Sequence, residues 1–136
     1  MEKRIIQIGL IAVAITLMVQ PYGVPTFWAN PEGPPTIIYY SFFSDVPYSA
    51  TLNYSPLVTA LLSILVIIRL IVSLIINVVK GRDSDNPGIL ISICLYICIL
   101  ATLASWLFFS AFSIISAIVL ATHIGAQICQ LMYKRD

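Results

Sequence analysis

The chain has 136 residues, 60% of them hydrophobic and 10% charged, with a formal net charge of +1. Ordinary globular domains carry about a quarter of their residues as charges, so this composition excludes a typical soluble domain and points to the bilayer as the solvent. The charge balance gives no basis for a nucleic-acid partner, because the basic residues form only short clusters beside apolar stretches.

In chain order, the first apolar stretch, Ile5 to Val19, follows Lys3-Arg4 and has Gln7 and Gln20 near its ends. A basic start before an apolar run resembles a signal peptide. No small-x-small cleavage site stands immediately before Pro21, so a retained anchor is expected over about residues 5–22. Gly9, Ala12 and Thr16 offer this span a small-residue seam for close helix approach.

The next segment, about residues 23–55, is expected to be an outer loop. Seven of the eight prolines and nine of the fifteen aromatics fall between positions 21 and 56. Disordered linkers are poor in aromatics, so the segment is expected to fold. Two uses stay open: an aromatic belt resting on lipid headgroups, or a cap that binds a partner through Trp28, Glu32, Tyr40, Phe43 and Asp45. The run Thr36 to Phe43 reads equally as a short strand or an interfacial helix.

Two further apolar stretches run from Pro56 to Val79 and from Gly88 to Tyr133. The second, as one helix, would be roughly 69 Å long, more than twice a hydrocarbon core of about 30 Å, so it must turn back once. The expected turn lies within Ala104 to Ser110, where aromatics and two serines cluster, giving spans of about 56–79, 88–106 and 110–133. The whole chain, 1–136, then forms one all-α integral membrane domain, a four-transmembrane-helix bundle with a proline- and aromatic-rich extracellular loop.

Charge placement orients these spans. Apart from Arg69, the basic residues are Lys3, Arg4, Lys80, Arg82, Lys134 and Arg135, which four spans would place on one face. The segment 21–55 has Glu32 and Asp45 and no basic residue. The positive-inside rule then makes both termini cytoplasmic, in a multi-pass plasma (inner) membrane protein.

The pieces Pro21-Tyr22-Gly23, Ala29-Asn30-Pro31-Glu32-Gly33, Tyr40-Ser41-Phe42-Phe43 and Ser55-Pro56-Leu57-Val58-Thr59-Ala60-Leu61-Leu62 resemble the outer loop and second helix of small uncharacterised four-span membrane proteins of Gram-positive (Firmicutes-type), often anaerobic, bacteria. The likeness covers about the first half of the chain. It implies the same topology and a bacterial plasma membrane, and it carries no functional residue across.

Inside the spans, Ser113, Ser116, Leu120, His123, Gln127 and Gln130 follow a three-four spacing that lines one helix face, and Thr59, Ser63, Ser73 and Asn77 form a similar stripe. Cys94, Cys98, Ala101 and Ser105 provide a small-residue seam. Arg69 and His123 each lie eleven residues before a flanking lysine, and Tyr96 nine after Pro87. At about 1.5 Å per residue, all three fall roughly 14–16 Å from the basic face. Arg69, Tyr96, His123 and Gln127 are therefore the candidate intramembrane polar layer, either a structural tie between helices or a site for an anion or proton.

The three cysteines lie within spans and show no Cys-x-x-Cys pattern, so neither a metal nor a cofactor is expected. No phosphate loop, His-Glu-x-x-His or Gly-x-Ser-x-Gly motif occurs, and an enzyme is not expected. The expected partners are the lipid bilayer and either another membrane protein or a second copy of the chain. The first functional reading is a small membrane accessory protein, and the second a transporter or channel component using the polar layer.

Overall fold

The computed structural model describes residues 2–48, 51–81, 88–109 and 112–135. It is mostly helical, with α1 Glu2–Val19, α2 Ser55–Lys80, α3 Gly88–Phe109 and α4 Ile114–Arg135. Four short strands lie between α1 and α2: β1 Val24–Trp28, β2 Thr36–Tyr40, β3 Val46–Tyr48 and β4 Thr51–Asn53. By length and composition, Ser55–Lys80, Gly88–Phe109 and Ile114–Met132 are apolar and long enough to cross a membrane. This is compatible with a multi-pass membrane protein. The 18 residues of α1 include Glu2, Lys3 and Arg4, which sets this helix apart from the other three.

The helices pack in a ring, with α1 against α4 and α2, and α3 against α2 and α4. Their ends have local causes. Pro56 occupies the first turn of α2, where its missing N–H is one of the unpaired donors of any helix start. Gly81 ends α2 at φ 66°, and its N–H returns to the carbonyls of Asn77 and Val78. Only glycine takes that left-handed position at little cost.

The reversal into α4 rests on paired serines. Ser113 Oγ accepts the Ser116 N–H at 3.0 Å, and Ser116 Oγ accepts the Ser113 N–H at 2.9 Å. This reciprocal arrangement satisfies N–H groups that the helix cannot pair itself. It also moves the reversal. The turn expected within residues 104–110 is helix as far as Phe109, while Ser110 and Ala111 lie outside the described residues, as does Arg82 in the connection after α2. Ser113 takes the cap, and Trp106, donating Nε1–H to Ser116 Oγ at 3.0 Å, remains inside α3.

The segment between α1 and α2 departs from an all-helical chain by forming two antiparallel hairpins. Val24 to Trp28 pair with Tyr40 to Thr36, and Val46 to Tyr48 with Asn53 to Thr51. The run that read equally as strand or helix is therefore strand through Tyr40, and Phe42-Phe43 forms a turn. The β-branched and aromatic content of Thr36-Ile37-Ile38-Tyr39-Tyr40 suits a strand, and the prolines on either side restrict helix formation.

Two apolar clusters fill the interior. Toward the hairpins, Ala14, Met18, Val24, Phe42, Val46, Ala60 and Val119 pack together, with Tyr40 and Phe43 against them. Further along, Ile11, Val66, Leu70, Ile91, Cys94, Leu95 and Ala126 form the second. Phe42 clamps the hairpins to the helices by burying its ring and by donating its N–H to the Met18 carbonyl at 3.1 Å. Burial of one such ring contributes roughly 1.5–3 kcal/mol.

Candidate functional site: a buried polar column and an aromatic cap

The three-four stripe of α4 faces inward, with Ser116, His123, Gln127 and Gln130 buried. Facing it, α2 buries Thr59, Ser63, Ser73 and Asn77, and α3 buries Cys94, Cys98, Thr102 and Ser105. Polar and small residues thus run along the interior beside the apolar clusters.

The middle of the column is His123, which is fully buried. Its Nδ1 lies 2.7 Å from the Val119 carbonyl and its Nε2 2.7 Å from Ser63 Oγ. A carbonyl can only accept, so Nδ1 carries a proton. Ser63 Oγ also lies 2.7 Å from the Thr59 carbonyl, so one hydroxyl proton faces two acceptors when the ring is neutral. With a second proton on the ring, Nε2–H would donate to Ser63 and Ser63 to Thr59. The Cys98 thiol approaches the same Thr59 carbonyl at 3.7 Å.

One turn further, Gln127 donates Nε2–H to Ser92 Oγ at 2.7 Å. The column then ends in a tight cluster around Arg4. Arg4 is 1% exposed and donates from Nη1 to Gln7 Oε1 at 3.0 Å and to Gln130 Oε1 at 2.7 Å. Gln7 donates from Nε2 to the Ala126 carbonyl at 3.0 Å and to Gln130 Oε1 at 3.1 Å. A buried guanidinium needs several acceptors, and Gln7 and Gln130 supply two neutral ones.

This arrangement differs from a single layer of Arg69, Tyr96, His123 and Gln127. Both ring nitrogens of His123 are engaged by Ser63 and Val119, and the Gln127 amide nitrogen by Ser92, so neither is turned to Arg69. Tyr96 is half exposed, because Cys94, Leu95 and Cys98 take the inward face of α3 and leave Tyr96 and Ile97 on the outward one. Arg69 lies on the flank of α2's buried stripe, partly buried and engaged in interactions of its own. The fully buried arginine is instead Arg4, which depth counting placed at the membrane edge. Its signal in the sequence was Gln7, one turn later, together with Gln130 near the end of the last helix.

The same cluster turns α1. Its buried residues are Arg4, Gln7, Ile11, Ala14 and Met18, while the expected seam loses Gly9 and Thr16 to the exposed side. Placing Arg4 and Gln7 against Gln130 rotates the small residues outward.

The other end holds the cap residues. Trp28 is 39% exposed and donates Nε1–H to Thr26 Oγ1 at 3.0 Å, and Thr26 donates to the Ile38 carbonyl at 2.8 Å. Glu32 sits in an exposed turn where its N–H meets Asn30 Oδ1 at 3.1 Å, and Asp45 is also exposed. Tyr40 and Phe43 are partly buried against the upper apolar cluster. The cap candidates thus divide into an inner pair and an outer set.

Phe27, Ile37, Ile38 and Tyr39 are exposed although apolar, and β2 has only β1 as a paired neighbour in its sheet. Periodicity could not identify them, because β2 is uncovered on both faces and shows no alternation. The first hairpin is tied down at Gly23, just before β1, whose carbonyl accepts from Ser113 Oγ at 2.6 Å, and the second at Asn53 of β4, whose Nδ2 donates to Ser105 Oγ at 3.1 Å. Compared with protein-family models, curated proteins and solved structures, the chain matches none at a significant level.

Proposed function

We propose that the protein is a small four-span membrane accessory protein whose hairpin end engages another membrane protein, with α1 as the fourth span, both termini cytoplasmic and the hairpins outside. The observation that carries this reading is β2, an edge strand with Ile37, Ile38 and Tyr39 exposed on both of its faces. Edge strands with free backbone groups and apolar side chains invite pairing with another chain. The basic residues flanking the helices support the orientation, and Glu32 and Asp45, the only charges of the hairpin segment, agree with it.

A second reading, a component of a transport path, draws on the hydrogen-bond chain from His123 through Ser63 to Thr59. A chain that can hold a proton in two arrangements suits a proton relay, and it equally suits a tie between α2 and α4. The hairpin reading is preferred because an apolar edge strand left exposed in one copy of the chain offers both backbone and side-chain surface to a partner.

Both parts of the proposal are tested by Ile38→Cys in intact cells, treated with an impermeant reagent that joins a thiol to a neighbouring amine. The expected outcome is a discrete adduct heavier than the protein, with the partner identified by mass spectrometry. An adduct of twice the chain's mass would instead mean a second copy. No reaction at position 38 from outside would overturn the orientation, and labelling without any protein adduct would overturn the partner.

A further inference from the structure

At the end of the molecule opposite the hairpins, a groove of about 200 Å³ opens between the first turns of α3 and the last turns of α4. Its polar wall is Ser92, Tyr96 and Gln130, and its apolar rim is Ile89, Ile93 and Leu131. Gln130 is 2% exposed, and its Oε1 receives two donors, Arg4 Nη1 and Gln7 Nε2. Two N–H groups converging on one atom fix which end of the amide is oxygen. Its Nε2 is therefore turned away from Arg4 and Gln7, and it finds no acceptor among the described residues. A buried amide nitrogen left so is destabilising, and an acceptor that reached it would relieve that cost.

Three further features select that acceptor's chemistry. Ser92 Oγ accepts from Gln127, which leaves its own hydroxyl proton to donate elsewhere, and Tyr96 offers a second hydroxyl. Gly88 and Ile89, also in the lining, are the first residues of the 22-residue α3, whose first-turn N–H groups have no partner within the helix and whose dipole favours a negative charge. The Arg4 guanidinium, one amide away, polarises Gln130 toward the same charge. No carboxylate stands among the described lining residues. Beyond the rim, Ile93, Ile97 and Leu100 continue as an exposed stripe up α3.

We propose that this groove binds the phosphate of an anionic phospholipid, with the headgroup oxygens on Gln130, Tyr96 and Ser92 and an acyl chain along Ile93, Ile97 and Leu100. The proposal rests on the membrane placement of the helices and is independent of what the hairpins engage. It gives the displaced Tyr96 and the buried Arg4 a common purpose at one boundary of the bilayer.

The test uses the full chain, reconstituted in discs of phosphatidylcholine with or without phosphatidylglycerol and analysed for retained lipid by native mass spectrometry. In parallel, short-chain phosphatidylglycerol is titrated in detergent against thermal unfolding. Gln130→Glu keeps an acceptor for Arg4 and replaces the donor with a carboxylate oxygen, and Tyr96→Phe removes one hydroxyl from an exposed position. The expected result is preferential retention of phosphatidylglycerol, weakened on the order of 10-fold or more by Q130E and about 2- to 10-fold by Y96F. Equal retention of the two lipids would overturn the proposal, as would variants that both keep the wild-type preference. Should Q130E fail to fold, Y96F decides alone. Inorganic phosphate protecting as well as the lipid at equal concentration would assign the groove to a free ion and overturn the lipid. Failure to enter the discs at all would instead count against the membrane placement, which separates the two outcomes.

Discussion

The two ends of the molecule are held by opposite means. At one end a guanidinium is buried among glutamines, and nearly every contact is a hydrogen bond between long, polar side chains. At the other, a phenylalanine ring, a valine from each hairpin and two hydrogen bonds made by the Ser113 and Asn53 side chains hold the hairpins to the helices. The polar end is sensitive to losing one partner, because what remains is a buried guanidinium with one acceptor fewer. The apolar end is intolerant of added volume, because close-packed atoms have nowhere to move.

The comparison can be broken first at the polar end. Gln130→Leu removes one acceptor of Arg4, at 2.7 Å, and should destabilise the fold by about 1.5–3 kcal/mol, read as the shift in thermal or denaturant unfolding in detergent. Adding Arg4→Met to the same chain removes the guanidinium that lost this acceptor and should recover part of that loss. A double variant no more stable than Q130L would mean that Arg4 does not depend on Gln130, against the geometry.

At the apolar end the corresponding change is Gly23→Ala. A Cβ at Gly23 would come within 2.9 Å of the Phe42 ring, which is itself buried against the helices. Forced into a packed core, one methyl costs typically about 1–3 kcal/mol. Phe42→Leu in the same chain should relieve part of it. A neutral G23A would show that the hairpins ride loosely on the helices, and the cap would then owe its order to something other than Phe42.

The smallest effect expected is at the junction of the two schemes, where Ser113 both caps α4 and donates to Gly23. Ser113→Ala should cost about 1 kcal/mol, the usual value for a lost N-cap, measured by the same unfolding transition. An effect near zero would indicate that Ser116 alone satisfies the start of α4.

Much of this organisation was legible in the residues. Apolar length alone marks the three long helices, since a stretch such as Pro56 to Val79 has no other way to satisfy its backbone in lipid. Three-four spacing identified the inward stripes of α2 and α4, because a polar residue facing hydrocarbon is costly and one facing protein can be paired. Of the small-residue seam expected on α3, Cys94, Cys98 and Ser105 are buried and Ala101 is partly buried, as close helix approach requires of small side chains.

Other features depended on tertiary structure. Depth along a helix says how far a side chain lies from a boundary and nothing about its azimuth, so Arg69, Tyr96 and His123 could share a depth without meeting. The face that α1 turns inward was decided by Gln130, 126 residues away from Arg4, and no local pattern contains that pairing. The hairpins were ambiguous because β2 is uncovered on both sides and shows no alternation. Their register became definite only once Val24 and Phe42 had a helical surface to bury against. Composition and periodicity thus determined which segments are helices and which stripes face inward, since both follow from the transfer of individual side chains between water, lipid and protein. The choice of partners across the interior was left to packing, because a contact such as Arg4 to Gln130 joins residues 126 apart in sequence that only the folded bundle brings together.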